Sequence, residues 1–375
     1  LNQYGGAERV LEVLHEMYPQ APVFTILYNP KNLPARFREW TILTSFVQHL
    51  PLVERHYEKY FFLFPMAVEG FDFERFDLVI SVSSAWAKGV ITTTDTFHIC
   101  YCLSPMRFAW FWYHPTLLRE RNRLSRTGLQ YLLNHIRVWD VVSSNRVDCF
   151  LATSSLVKRR IAKYYRRESL VIPPPVNCDF FRPGDDVRPG EYFLVVSRLR
   201  PYKALEIAVR AFNELGLPLL MVGEGSLRRK LERMSKPNIH FLGHLSDQDL
   251  LRCYQRCTAL VFPTLEDFGI VPLEANACGR PVIAFRGGGA LETLVEGENA
   301  VFFYPQTSEA LIEAVRSLDP SAFVPERVRK NALRFDKSSF KQKVGDFVRA
   351  RYEEQKAVVG GLGETHEGLL RNTES

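Results

Sequence analysis

The sequence of 375 residues predicts an α/β protein with two domains, each built around a parallel sheet. Its length favours two domains, because one domain takes about 100–200 residues. Short apolar runs alternate with amphipathic helical segments through both halves of the chain, a pattern typical of parallel sheets. Hydrophobic residues make up 46% of the chain, which is enough to fill two ordinary cores.

The start of the chain predicts a helix without the strand that should precede it. Gly5 and Gly6 are followed by AERVLEVLHEM, whose apolar stripe indicates an amphipathic helix opened by a glycine turn. A turn of this kind normally follows a strand, and only four residues precede it. We therefore expect the first strand of this domain to be missing from the sequence.

The rest of the first half predicts alternating strands and helices. A helical, aromatic-rich stretch lies near 52–64, and a long helix is expected over 116–142. The apolar runs that predict strands are 23–27, 77–81, 97–101, 148–153 and 169–173.

A proline-rich segment, residues 173–184, separates the two halves. Its prolines exclude a continuous helix or a central strand, so it predicts a linker between domains over 1–180 and 186–335. From 335 a last helical segment begins, and residues 360–375, rich in Gly, Glu and Thr, predict a disordered tail. The predicted strands of the second domain are 192–196, 218–222, 239–243, 259–263, 281–285 and 300–304.

Composition limits which cellular compartment and which classes of binding partner fit this chain. The net charge of +6 is concentrated in two basic runs, 119–126 and 158–167, which favour an anionic membrane surface as a neighbour, although solvated helix faces explain such runs equally well. Nucleic acid is disfavoured, because no known binding module accompanies the charge. No apolar run reaches the roughly 20 residues of a membrane span. The seven cysteines show no metal-binding spacing, so a reduced, cytoplasmic setting is expected.

Charged side chains follow two predicted strands of the second domain. Arg198 and Lys203 come after its first strand, and Glu266 and Glu274 come after its fourth. Because the carboxyl ends of parallel strands meet at one edge of a sheet, we expect a shared crevice there. Two cations and two spaced carboxylates suit a nucleotide sugar, which carries a diphosphate, a ribose diol and sugar hydroxyls.

Each part of such a ligand has a candidate partner. Arg198 and Lys203 can neutralise the leaving diphosphate. Glu274 can accept two hydrogen bonds from the ribose diol, and Glu266 can address the sugar hydroxyls. Backbone N–H groups at a helix N-terminus can hold phosphate, and glycines near the chain start would let backbone approach from the first domain. These N–H groups belong to Phe268, Gly269 and Ile270, and the glycines are Gly5 and Gly6.

Other interpretations of these residues stay open. Arg and Lys at strand ends are commonly surface charges, and two glutamates eight positions apart occur often by chance. A nicotinamide-dependent oxidoreductase would share the fold class, but the sequence lacks its G-x-G-x-x-G turn. Asp247 and Asp249 have the D-x-D spacing of a metal site. Ser246 before them is a good helix N-cap, so we predict a helix start and no metal site there.

Together these motifs resemble family 4 of the retaining glycosyltransferases, which have the GT-B fold. The resemblance rests on SRLRPYK, on EDFGIVPLE, on GGAER near the start and on GGALETLVEG, and it covers about residues 1 to 355. It implies two Rossmann-like domains facing a cleft, with a helix over about 336–358 that returns to the first domain. It also implies transfer with retention of configuration, without a metal and without an enzyme nucleophile.

Carried onto this sequence, the resemblance assigns roles to six residues. It makes Arg198 and Lys203 the diphosphate ligands, Glu266 the donor-sugar contact, Glu274 the ribose ligand, and Gly5 and Gly6 the glycine loop.

One segment, YCLSPMRFAW, departs from the family pattern. It resembles a stretch in which a histidine before a Ser/Thr-Pro-x-Arg run contacts the donor sugar, but Leu103 stands at that position and cannot form a side-chain hydrogen bond. Ser104 and Arg107 remain as candidates for the sugar or acceptor side. His98 is expected to project from the opposite face of its strand and to be a histidine satisfied within that strand.

Similarity also favours bacterial transferases that build surface polysaccharides, often mannosyltransferases that use GDP-mannose. We therefore expect a hexosyltransferase without a cofactor, which moves a hexose from a nucleotide sugar to a saccharide or lipid-linked acceptor, in the cytoplasm or at the inner face of the cell membrane. Leu103 and the missing strand raise the alternative of a degenerate, non-catalytic nucleotide-sugar binder or scaffold.

Overall fold

The computed structural model describes residues 1–118, 122–184, 190 and 192–371, with side chains described except at 115 and 356–371. The chain divides into two compact units. The first contains Leu1–Ile172 and the chain from Lys341 onward, and the second contains Pro173–Phe340.

The first unit is an α/β structure with two parallel sheets. One sheet has two strands in the order β1-β2, and the other has four strands in the order β3-β4-β5-β6. The strands are β1 (Val23–Thr25), β2 (Ile42–Thr44), β3 (Leu78–Ser83), β4 (Phe97–Cys102), β5 (Cys149–Ala152) and β6 (Leu170–Val171). The helices are α1 (Gly6–Met17), α2 (Val53–His56), α3 (Phe64–Glu69), α4 (Tyr113–Leu118), α5 (Arg123–Ser144) and α6 (Ser155–Tyr164).

Local capping explains where this unit departs from the predicted elements. The helix predicted over 116–142 is two helices, because the Asn122 side chain accepts a hydrogen bond from the Leu124 N–H and so caps α5 as a new helix. The stretch predicted as helical near 52–64 contains the short α2 and a 3₁₀ turn at Tyr57–Leu63. A proline in the first turn then starts α3.

The second unit contains one six-stranded parallel sheet in the order β12-β11-β10-β7-β8-β9. Its strands are β7 (Tyr192–Val196), β8 (Leu219–Val222), β9 (Ile239–Gly243), β10 (Cys257–Phe262), β11 (Val282–Phe285) and β12 (Ala300–Phe303). Its helices are α7 (Leu205–Leu215), α8 (Arg228–Met234), α9 (Asp247–Arg256), α10 (Ile270–Ala277), α11 (Ala290–Thr293), α12 (Ser308–Ser317) and α13 (Pro325–Leu333).

The order of this sheet reverses between β7 and β10. The chain runs from β7 outward through β8 and β9, and then from β10 outward in the other direction. Loops after two such neighbouring strands diverge and leave a crevice at the carboxyl edge, where ligands of doubly wound sheets bind. Successive residues of β10 face opposite sides, with Leu260 in one core cluster and Val261 in the other.

The last helix, α14 (Lys337–Arg371), begins in the second unit and continues in the first. Within the first unit the Lys341 ammonium lies 2.6 Å from the Glu16 carboxylate on α1. The helix continues to Arg371, where the sequence predicts a disordered tail from 360. No proline interrupts 337–371, so no steric barrier ends the helix earlier. Residues 372–375 of that predicted tail lie outside the described residues.

In the described part of the chain, no helix combines the length with the apolar sequence that spanning a membrane requires. All seven cysteines are free thiols.

Candidate functional site

The loops that follow β7 and β10 bring a lysine and a glutamate together. β7 and β10 are parallel neighbours, with Leu194 opposite Leu260, so their carboxyl ends share one edge of the sheet. Lys203 follows β7, Glu266 follows β10, and the Lys203 Nζ forms an ion pair with the Glu266 Oε1. The side chains are 13% and 15% exposed, so solvent screens the pair only in part.

Neighbouring groups hold Lys203 in place. The residue ends a 3₁₀ turn at Pro201–Lys203, and the next residue, Ala204, has a left-handed φ of 53° before α7 begins. The Thr264 Oγ1 donates a hydrogen bond to the Lys203 carbonyl oxygen at 2.9 Å. This bond ties the loop after β7 to the loop after β10.

Arg198 lies in the same loop as Lys203. It is exposed, and its Nη2 donates to the Tyr202 hydroxyl at 3.3 Å. The Lys203 ammonium lies 5.3 Å from the centre of the Tyr202 ring. Tyr202 is therefore the link between the two cations, a role that the sequence analysis did not assign.

Two glycines after β11 support the loop that carries Glu266. The Gly289 N–H donates to the Glu266 carbonyl oxygen at 2.9 Å. A Cβ on Gly289 would lie 2.3 Å from the Phe268 Cα, and a Cβ on Gly288 would lie 2.3 Å from the Glu266 carbonyl oxygen. No side chain fits at either position. The run of three glycines after a predicted strand was the signal for this contact.

The helix N-terminus expected near Phe268 is present. Gly269 has a φ of 94°, in the left-handed region that favours glycine, and α10 begins at Ile270. Phe268 is buried, at 6% exposure, and its ring packs against Phe335. The residue therefore anchors the loop through its side chain.

Glu274 lies on α10 and is only 3% exposed. Its Oε2 accepts a hydrogen bond from the Tyr254 hydroxyl at 2.8 Å, and Tyr254 on α9 is itself 0% exposed. The structure thus places this carboxylate on the inward side of α10. Sequence reasoning missed Tyr254, which lies 20 positions before its partner.

The predicted site residues at the chain start lie in the first unit. Gly5 is the N-cap of α1 with an extended φ of −167°, which any residue can adopt, and Gly6 is the first helical residue. A Cβ on Gly5 would lie 3.5 Å from the Glu8 Oε2, an ordinary contact distance. Backbone conformation therefore does not demand glycine at Gly5.

Ser104 and Arg107 lie in the segment after β4. Ser104 is 2% exposed, and its Oγ accepts from the Arg160 Nη1 at 3.4 Å. The Arg107 guanidinium lies 5.5 Å from the centre of the Trp112 ring. Leu103 is half-buried, and its backbone N–H donates to the Ser83 carbonyl oxygen at 2.8 Å.

His98 is a buried residue of β4, as expected, but the expectation of a histidine satisfied within the strand holds for Nε2 alone, because the buried Nδ1 forms no hydrogen bond within the described residues. His98 is 0% exposed, and its Nε2 shares a hydrogen bond of 2.8 Å with the Ser81 Oγ. Burial lowers the pKa of the imidazole to about 4, and the nearby Lys88 ammonium adds to the shift.

The D-x-D sequence at Asp247 and Asp249 is a helix start, as predicted. The Ser246 Oγ accepts from the Asp249 N–H at 3.1 Å and caps α9. Among the described residues, no three His, Cys, Asp or Glu side chains gather in a way that could hold a metal ion.

Two family models together match most of the chain. Residues 4–180 match the model described as Glycosyltransferase Family 4, and residues 182–334 match the model described as Glycosyl transferases group 1.

Individual proteins agree with these matches. The chain is 30% identical to the O-antigen chain mannosyltransferase C of Escherichia coli over 50% of this chain and 55% of that protein. It is 28% identical to the D-rhamnosyltransferase WbpZ of Pseudomonas aeruginosa over 59% of this chain and 60% of that protein. The matched regions thus span little more than half of these relatives.

Among solved structures, the sucrose-phosphate synthase from Thermosynechococcus elongatus has a TM-score of 0.72 at 18% identity, covering 94% of both chains. That likeness shows the fold. The chain therefore belongs to the glycosyltransferases with the GT-B fold, with a Family 4 domain followed by a group 1 domain.

Proposed function

We propose that this chain is a retaining hexosyltransferase, which moves a hexose from a nucleotide sugar to a saccharide or lipid-linked saccharide acceptor. The observation that carries the proposal is the meeting of Lys203 and Glu266 at the strand ends where the second sheet reverses its order. Loops at such a reversal are the usual binding place for nucleotides in doubly wound sheets.

The charges at these strand ends fit the proposed chemistry. When a glycosidic bond to a diphosphate breaks, negative charge builds up on the leaving group, and fixed cations stabilise that charge. Lys203 and Arg198 supply two cations in one loop, linked through Tyr202. We assign this neutralisation to the two side chains, and no metal or other cofactor takes part in the proposal.

Glu266 completes the donor site in this proposal. Its carboxylate can accept hydrogen bonds from sugar hydroxyls, and the glycines behind its loop set its position. The ion pair with Lys203 orients both side chains before a donor arrives. Binding then transfers part of the Lys203 interaction from the carboxylate to the diphosphate. Glu274, on the inward side of α10, is proposed to contact the ribose.

Mannose as the sugar and GDP-mannose as the donor are the favoured choices. The relative in Escherichia coli is named a mannosyltransferase of the O-antigen chain, which supports a hexose and a surface polysaccharide. We further propose that the chain works in the cytoplasm, at the inner face of the cell membrane.

A second candidate function is binding of a nucleotide sugar without turnover. It is favoured by Leu103, which stands where the resemblance expects a histidine and which offers only its backbone for hydrogen bonding. A scaffold of this kind would keep the donor site and lose transfer.

A thermal-shift panel of GDP-, UDP- and ADP-sugars tests donor binding. A specific donor stabilises the folded chain by mass action, by about 2.7 kcal/mol at a hundredfold excess over its Kd. We expect GDP-mannose to give the largest shift. Absence of a shift with every donor would contradict both candidate functions.

Turnover separates the two candidates. In the enzyme, Lys203→Met removes one leaving-group cation and should lower the transfer rate by about 100- to 1,000-fold. The matched control is Lys230→Met, which removes an exposed lysine that pairs with Glu206 at 3.3 Å in the same unit, and it should leave the rate unchanged. Donor binding without any transfer by the wild-type chain would establish the scaffold.

A further inference from the structure

Helix α10, which carries Glu274, ends in the interior of the second unit. Its residues 272–277 are buried, and so are the three that follow it, 278–280. The last carbonyl oxygens of a helix have no partner within the helix, and a buried carbonyl oxygen without a partner is costly. The N–H groups of 278–280 donate to the carbonyl oxygens of 274–276. The Ala277 carbonyl oxygen takes its donor from another helix.

That donor is Arg329, a half-buried residue of α13. Its Nη1 donates to the Ala277 carbonyl oxygen. The same guanidinium donates to the carbonyl oxygens of Phe181 and Cys178, each at 2.9 Å. Because a guanidinium carries five N–H donors in a rigid planar fork, one arginine can hold three backbone groups at once. Arg329 therefore fixes the end of α10 against the segment 178–181, which precedes β7.

The segment 178–181 is also linked to the Glu274 side chain. The Phe181 ring is 0% exposed and packs edge-on against the Tyr254 ring, with ring centres 5.7 Å apart. The Tyr254 hydroxyl is the group that donates to the Glu274 carboxylate. Arg329 thus holds both the helix that carries Glu274 and the backbone of the residue that supports its tyrosine donor.

Other contacts hold α13 against α10 independently of Arg329. A Cβ on Gly279 would lie 2.8 Å from the Pro325 Cβ, so the start of α13 packs directly on the end of α10. Further along α13, the Asn331 Nδ2 donates to the Asn276 Oδ1 at 3.2 Å. Because these contacts lie before and after Arg329 on α13, loss of the Arg329 side chain should shift the end of α10 without detaching the two helices.

We propose that Arg329 is a positioning residue of the donor site, which holds Glu274 where its carboxylate can accept hydrogen bonds from the hydroxyls of a nucleotide ribose. The inference deepens the proposed function, on which it rests for the ribose contact of Glu274. Arg329 acts through Glu274 and does not itself contact the ligand. Hydrogen bonds weaken steeply with poor geometry, so a small shift of α10 should weaken the ribose contact more than the diphosphate contacts of Arg198 and Lys203.

Affinities for nucleotides with and without ribose hydroxyls test the inference. The probes are GDP, UDP and ADP, each paired with the form that lacks both hydroxyls, and calorimetric titration of the full chain gives each Kd. The wild type should bind the ribose form of its preferred nucleotide at least about tenfold more tightly, because the other form loses hydrogen bonds to a charged group. Arg329→Met should reduce this ribose preference to about twofold or less, because the hydrogen bonds become misaligned.

A conservative variant tests for partial rescue. Arg329→Lys keeps the cation, but an ammonium lacks the planar fork that reaches three carbonyl oxygens. Its ribose preference should lie between those of the wild type and Arg329→Met.

Two control variants separate positioning from general destabilisation. Arg327→Met removes an exposed arginine of the same helix and should keep the wild-type ribose preference. Asn213→Ala removes a half-buried side chain that, like Arg329, links backbone groups, since it donates to the Met234 carbonyl oxygen at 2.6 Å and accepts from the Lys236 N–H at 2.8 Å. This variant should unfold at a lower urea concentration and still prefer ribose as the wild type does.

Each outcome decides one question. An unchanged ribose preference in Arg329→Met, or a wild type that binds a nucleotide without any ribose preference, overturns the inference and leaves the proposed function standing. An equal loss of preference in Asn213→Ala also overturns it, because destabilisation alone would then explain the effect. Failure of both Arg329 variants to fold overturns it as well, since the residue would then hold the unit together. Absence of binding by the wild type to every nucleotide contradicts the proposed function itself.

Discussion

Lys88–Asp140 in the first unit and Lys203–Glu266 in the second are both lysine–carboxylate pairs, and they differ in burial. In the first unit the Lys88 Nζ lies 2.7 Å from the Asp140 Oδ1, and the side chains are 1% and 0% exposed. In the second unit Lys203 and Glu266 are 13% and 15% exposed at the ends of β7 and β10. The same two chemical groups thus occupy an interior in one unit and a strand-end loop in the other.

Other protein groups surround the interior pair and form hydrogen bonds with both charged side chains. Asp140 also accepts hydrogen bonds from the Trp110 Nε1 at 2.7 Å and from the Tyr165 hydroxyl. Lys88 donates to the Ser143 Oγ at 2.8 Å and lies 5.1 Å from the Trp139 ring centre. A buried pair without such partners would be strongly unfavourable, since its desolvation exceeds its attraction.

This difference in burial indicates different roles for the two pairs. Asp140 holds Trp110, and Trp110 belongs to the segment that also carries Ser104 and Arg107. The interior pair therefore sets the shape of a loop, whereas the strand-end pair presents charge where a ligand can reach it. Position relative to the strand ends, more than residue type, separates the structural pair from the candidate functional pair.

The largest expected effect is on the interior pair. Lys88→Met leaves the Asp140 carboxylate buried without its cation and should lower the free energy of unfolding by about 3–5 kcal/mol. Urea denaturation measures this loss. The control Lys341→Met breaks the more exposed pair with Glu16 in the same unit and should cost about 1 kcal/mol or less. Equal losses in the two variants would remove the distinction between interior and surface pairs.

A second effect concerns His98, another titratable group in the interior of the first unit. Its pKa is lowered to about 4 by burial, below the ordinary value of 6.5, so the folded state keeps the ring neutral while the unfolded state protonates. The stability linked to His98 is therefore complete above pH 6.5 and falls as the pH drops from 6.5 towards 4. The shift corresponds to a loss of about 3 kcal/mol across that window.

Unfolding measured across this pH range checks the effect. His98→Gln should abolish that part of the pH dependence, whereas His240→Gln, at an exposed histidine, should preserve it. If the His98 variant keeps the wild-type slope between pH 6.5 and 4, the imidazole is not the group that titrates.

Sequence reasoning located the elements of the second unit well. The strand predicted over 192–196 is Tyr192–Val196 and that predicted over 239–243 is Ile239–Gly243, because a continuous apolar run is a local signal. The N-cap at Ser246 was found for the same reason, since the cap lies only three residues before the Asp249 N–H that donates to it. Parallel order of the strands then predicted that residues after β7 and β10 would be neighbours.

Contacts between residues that are far apart in the sequence could not be predicted in this way. Lys88 and Asp140 lie 52 positions apart, and nothing in the local sequence of either indicates burial of a charge. The helix predicted over 116–142 was too long, because the cap at Asn122 was not recognised as a second start. The glycines at 288 and 289 were quoted as part of a motif, but their packing on the Glu266 loop depends on the register of β11 against β10.

The smallest expected effect tests whether the role of a carboxylate follows from its burial or from the unit that contains it. Glu274 belongs to the second unit, yet at 3% exposure it resembles Asp140 more than Glu266. Tyr254→Phe removes the hydroxyl that donates to it and should lower the free energy of unfolding by about 1.5 kcal/mol, the lower end of the range for a hydrogen bond to a charged group. Denaturation in urea measures the change.

The control for this change is Tyr192→Phe. The Tyr192 hydroxyl donates to the neutral carbonyl oxygen of Cys253 at 3.2 Å, so its loss should cost about 1 kcal/mol or less. A larger loss for Tyr254→Phe, together with weaker binding of a nucleotide sugar, would mean that Tyr254 orients a charged Glu274 towards a ribose. A loss in stability with unchanged nucleotide binding would instead show that Glu274, like Asp140, stabilises the protein interior and does not contact the nucleotide.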